Sequence, residues 1–100
     1  MKNLTREESS LILYLESRAT DYCGKVDSSR MNRNDFTIAE KWNDDGFVKF
    51  GRLKGDVVTK SASHWCCLSD EAWRVAHNER KMRANRGWEI VKKQASGYVE

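Results

Sequence analysis

Between Phe36 and Trp73 the hydrophobic spacing changes period twice, and this constrains the fold more than any other feature of the chain. "DFTIAEKWNDDGF" sets Phe36, Ile38, Ala39 and Trp42 at near-helical spacing and stops at Gly46. A β-strand pattern follows with no linker: Phe47, Lys49 and Gly51 alternate with Val48, Phe50 and Arg52. Residues 54–63 hold Gly55, Asp56, Lys60 and small polar residues, a hairpin loop, and "SHWCCL" returns as the second strand. Ser69 then caps a new helix whose first turn carries Asp70 and Glu71, where negative charge favours the dipole.

The flanking segments are helical. Thr5 and Glu8 have capping-box spacing, and Leu4, Leu11, Ile12, Leu15, Ala19 and Tyr22 recur on one face. The first helix is therefore predicted from about Thr5 to Tyr22, stopped by Gly24. "GKVDSSRMNRND" offers caps at Asp27 or Ser28 and again at Asn34, so a short turn over Ser28–Met31 precedes a longer helix from Asn34 or Asp35. That helix ends on Asp44 and Asp45, at the negative end of its dipole, which predicts a terminus exposed to solvent or to a partner. The last helix, from Asp70 to about Gln94, aligns Trp73, Ala76, Ala84, Trp88 and Val91 in one stripe, with Gly87 as a kink or stop.

One hundred residues allow one domain, residues 1–100, with a flexible tail expected from about residue 94. The fold class is α+β, mainly α. No apolar run approaches the roughly 20 residues that span a bilayer, and "MKNLTREESS" lacks the apolar stretch of a secretory signal. The expectation is a cytoplasmic protein, without membrane contact, whose three cysteines are reduced thiols. Charge is uneven. Residues 1–50 carry eight Lys/Arg against nine Asp/Glu, and residues 51–100 carry ten against six. A basic second half suits nucleic acid or an acidic protein surface.

"SHWCCLSDEAWRVAH" is the only stretch that hints at a reaction centre. Structural zinc wants ligands spaced like C-x2–4-C and H-x3–5-H, and His64, Cys66 and Cys67 are too crowded for that. On a strand, His64 and Cys66 share one face while Cys67 takes the other. No nucleophile or carboxylate is placed by motif beside His77, and "GRLKG" is not a phosphate loop. No catalytic residue, metal or cofactor is expected. Trp65, Trp73 and Trp88 could stack bases, but read better as core or a dimer interface. Arg80, Lys81, Arg83 and Arg86 form the densest basic run, a surface for phosphate or an acidic partner.

The order helix, short turn, helix, hairpin, helix resembles the winged helix-turn-helix superfamily. "WNDDGFVKFGRL" and "CLSDEAWRVAH" carry that likeness, over roughly Leu4 to Arg86. It implies a two-stranded hairpin as the wing, a long C-terminal helix, and a transcription regulator that binds double-stranded DNA, with homodimerisation through the first and last helices. The resemblance implies a recognition helix that presents Asn34, Thr37, Lys41 and Asn43 to the major groove, with Arg30 and Arg33 just before it to grip a phosphate or a guanine edge. Lys49, Arg52, Lys54 and Lys60 of the wing would contact phosphate. The same recognition helix carries Asp35, Glu40, Asp44 and Asp45, which phosphates repel unless they point away. The alternative is a phage-type interaction module on this fold, such as an inhibitor of a host defence complex.

Overall fold

The computed structural model describes residues 4–55, 58 and 62–95. Among them are three α-helices, one 3-10 turn and a three-stranded antiparallel sheet. The order is α1 (Arg6–Asp21), β1 (Lys25–Val26), the 3-10 turn (Ser28–Arg30), α2 (Arg33–Asp45), β2 (Val48–Arg52), β3 (His64–Leu68) and α3 (Asp70–Ala95).

Helix α1 starts as its sequence dictates. Glu8 N–H donates to Thr5 Oγ1 and Thr5 N–H donates to Glu8 Oε1, closing the capping box. At the other end Cys23 and Gly24 both take left-handed backbone. Gly24 is required twice over. Its φ is +84°, and a Cβ there would lie 2.7 Å from the Cys66 carbonyl oxygen. That close approach lets Gly24 O accept Cys66 N–H at 2.8 Å and starts β1. Buried Arg18 secures the corner by donating Nε–H to Lys25 O at 2.7 Å.

Strand β1 corrects the expected two-stranded sheet. It pairs with β3, Lys25 opposite Trp65 and Val26 opposite His64, so the sheet order is β1-β3-β2. Two residues have no readable period, and their partner lies about forty positions away. The start of α2 also differs from expectation. Asn32, not Asn34, is the N-cap. It accepts Asp35 N–H at 2.8 Å, and Asp35 accepts Asn32 N–H in return.

Val26, Val48, Phe50, Cys66 and Leu68 line the inner face of the sheet and pack with Leu11, Ile12 and Leu15 of α1, Ala39 and Trp42 of α2, and Ala72, Val75 and Ala76 of α3. Trp42 is fully buried and meets Phe47 edge-on at 5.3 Å. Ser69 caps α3 by accepting Ala72 N–H, as its position implied.

The predicted stripe on α3 does not hold. Ala76 is core and Trp73 packs half-buried beside it, but residues 80–93 are exposed along their whole length. The helix runs on through Gly87 to Ala95, two residues into the expected tail, and residues 96–100 lie outside the described part. The reason is length. At 1.5 Å per residue, α3 is about 39 Å long and α1 about 24 Å, so the antiparallel neighbour ends while α3 continues as an arm. The described chain accordingly measures 59 × 30 × 24 Å.

The root of the arm is pinned by charge. Glu16 of α1, its side chain only 7% exposed, accepts Nε–H of Arg80 at 2.8 Å and a second bond from Arg80 Nη2, with His77 Nε2 at 3.4 Å from its other oxygen. Ser9 donates to Glu79, and Arg83 donates to Ser10 at 3.2 Å.

Candidate nucleic-acid interface

The surface around α2 is held in place by the 3-10 turn. Tyr14 of α1 donates its hydroxyl to Asp27 O at 2.9 Å and accepts Asp27 N–H at 3.1 Å. Burial pushes the Tyr14 phenol above its ordinary pKa, so the donor keeps its proton. Ser28 then meets the hairpin: Ser63 Oγ lies 2.6 Å from Ser28 Oγ and 2.9 Å from His64 Nδ1. This chain of hydroxyls fixes the hairpin base against the entrance to α2. Between them lies an open groove of about 470 Å³ lined by Ser28, Phe36, Glu40, Phe50, Arg52 and His64. His64 stacks on Phe50 at 5.2 Å, and burial, then Arg52, holds its pKa below the ordinary value.

The candidate contact residues separate into groups. Arg33, Asn34, Thr37 and Lys41 are all exposed on α2. Asn34 lies at one margin, beside Arg6 and Glu7, and Glu40 at the groove margin. Arg30 is exposed just before them, with a loose 3.9 Å pairing to Asp27 that contributes little in solvent. Asn43 also has a structural task, because its Oδ1 accepts Phe50 N–H and ties α2 to β2. Arg52 reaches the groove and Lys54 is exposed beyond it. Lys60 lies outside the described residues. Lys49 departs from the set. By strand alternation it projects from the opposite face of the sheet, across from Cys67.

The acids divide as well. Asp35 is consumed by the capping box, whereas Glu40, Asp44 and Asp45 are exposed. The exposed face of α2 thus carries two cations against three carboxylates, and the carboxylates occupy its C-terminal half. Its N-terminal half, Arg33 to Thr37, exposes a cation, an amide and a hydroxyl.

In the basic run, Arg80 and Arg83 are engaged with α1, and Lys81 and Arg86 are exposed. Beyond them the arm exposes Trp88 at 58%, with Ile90 and Val91 beside it. Trp88 therefore leaves the core set, and so does Trp65, which is 38% exposed on the outer face of the sheet. Trp65 covers Gly51, where a Cβ would meet its Nε1, Cε2 and Cζ2 at 2.7 Å. The sequence signal for that pair, a tryptophan and a glycine on two strands, becomes readable only with the register.

Cys66 is buried with His64 on the inner side, as alternation predicted, and donates to Leu15 O. Its thiol is pushed up to about 12 by burial. Among the described residues no three His, Cys, Asp or Glu side chains converge as a metal site, and no helix is long and apolar enough to cross a membrane. Comparison with protein-family models, curated proteins and solved structures finds no significant match to this chain.

Proposed function

We propose that the chain is a non-enzymatic winged-helix protein that binds duplex DNA as a regulator. The N-terminal half of α2 enters the major groove, and Arg30, Arg52 and Lys54 grip phosphate on either side. The observation that carries the reading is one of arrangement: α1, β1, a turn, α2 and a hairpin, with β1 closing a sheet of order β1-β3-β2. This leaves the polar start of α2 exposed next to the hairpin base. Groove-reading helices make base contacts with their N-terminal residues, so Asp44 and Asp45 at the far end of α2 are compatible with it. Lys49, on the other face, is not part of this surface.

The test is a duplex titration at two salt concentrations. Binding should weaken with salt; Lys54→Ala should lower the log–log slope by about 1, for its phosphate no longer neutralised, and Arg33→Ala should cost about 1–3 kcal/mol through its lost groove contact. No binding at low salt, or binding that ignores both substitutions, refutes the reading.

A second reading is favoured by the arm. Trp88, Ile90 and Val91 project from the body on a basic helix, the form in which a helix enters an apolar groove with an acidic rim. In that case the chain is an interaction module, of the kind a phage inhibitor of a host complex would be, and Trp88→Ala rather than Arg33→Ala abolishes activity. Under the first reading the arm pairs with a second copy, giving the dimer that two half-sites require.

A further inference from the structure

The outer face of the sheet carries a second arrangement that duplex recognition by α2 does not use. Register places Lys25, Trp65 and Gly51 in one row across the three strands, with Cys67 and Lys49 in the next. Lys25, Lys49, Trp65 and Cys67 are all exposed, and these two rows hold no carboxylate. The indole of Trp65 is held across the backbone at Gly51, since any side chain there would collide with it. A large aromatic surface on a strand would ordinarily be covered. Here it is 38% exposed and preorganised, so a planar ligand meets it without first ordering the ring.

The charges select the ligand. Lys25 lies directly across from Trp65, within the roughly 5 Å of a cross-strand pair, and Lys49 lies on the diagonal, about 7–8 Å away. Two ammonium groups flanking an aromatic face disfavour a cationic ligand and favour a planar group joined to anions. An unpaired nucleobase on its sugar-phosphate chain has that composition. We infer that the outer face of the sheet binds single-stranded nucleic acid, with a base stacked on Trp65 and adjacent phosphates held by Lys25 and Lys49. This extends the nucleic-acid reading to a second surface, and it is tested separately.

The probe is a fluorescently labelled oligothymidylate titrated with the full chain at low salt, in parallel with a labelled duplex. Trp65→Ala should weaken oligothymidylate binding by about 5- to 150-fold, the range for loss of one stacked base, and leave duplex binding unchanged. Trp65→Phe should retain most of the affinity. Should Trp65→Ala disturb folding by circular dichroism, Lys25→Ala with Lys49→Ala, both exposed, supplies the answer: it should lower the salt slope for the single strand by about 1.4, at roughly 0.7 per phosphate. Wild-type protein that ignores oligothymidylate overturns the proposal and leaves the face to a protein contact. Affinity or slope unchanged in these variants overturns it too, as does equal loss for duplex and single strand. Loss of duplex binding in the Arg33 and Lys54 variants, with the single strand still bound, bears only on the winged-helix reading.

Discussion

The root of the α3 arm makes an asymmetric prediction. Glu16 and Arg80 form one ion pair, yet their burial differs, at 7% and 54% side-chain exposure. Arg80→Ala removes the guanidinium that covers Glu16 and leaves a carboxylate poorly hydrated against α3, with His77 at 3.4 Å as a substitute partner. Losing one partner of a buried pair costs about 3–5 kcal/mol, and hydrogen bonds to a charged group contribute about 1.5–3 kcal/mol. The half-exposed arginine and the nearby histidine place this case at about 2–3 kcal/mol. Glu16→Ala leaves the opposite orphan, a guanidinium already half in solvent that rehydrates readily. Its cost should be about 1 kcal/mol, partly offset by the helix propensity of alanine. For a domain of this size, thermal unfolding followed by circular dichroism should show Tm drops of about 10–20 °C for Arg80→Ala and about 5 °C for Glu16→Ala. Equal losses, or a larger loss for Glu16→Ala, would refute the argument that burial of the carboxylate sets the energetics.

Two further outcomes follow from the sheet. His64 titrates below its ordinary pKa when folded, so the unfolded chain binds the proton first; His64 should add stability above pH 6.5 that declines as pH falls from there toward the folded pKa. Urea midpoints measured from pH 8 to pH 5 should show that decline in the wild type and less of it in His64→Phe, and identical pH profiles would contradict it. With its thiol at about 12, Cys66 should be only about one part in ten thousand thiolate at pH 8, so iodoacetamide should label exposed Cys23 and Cys67 long before it. Peptide mass spectrometry showing Cys66 and Cys67 modified at one rate would mean that the inner face of the sheet is open to solvent.

Local chemistry is legible in the sequence where it acts over a few residues. The Thr5–Glu8 box, the Gly24 and Gly46 stops, the turn at Ser28, the alternation of β2 and the Ser69 cap are all local, and they fall where the spacing puts them. The cap of α2 lies two residues before the expected one because Asn32 and Asn34 are equally good acceptors by type, and Asp35 selects Asn32 by closing the reciprocal bond. The candidate interface is legible only in part. Arg33, Asn34, Thr37 and Lys41 share the exposed side of α2, but Lys49 and Arg52, three residues apart on one strand, serve opposite faces of the sheet.

The sequence by itself determined where α1, β2 and α3 begin and where α1 and α2 stop, because caps, periods and glycine stops are near-neighbour physics. Tertiary structure alone decided the third strand, since Lys25 and Val26 become a strand only when β3 supplies the hydrogen bonds. It also decided which tryptophans are core. Trp42 and Trp88 are the same residue on two amphipathic helices, and Trp42 is buried because a sheet lies beneath it, while Trp88 is exposed because α1 ends before reaching it. Burial belongs to the pair of surfaces that meet, and a spacing pattern describes only one of them.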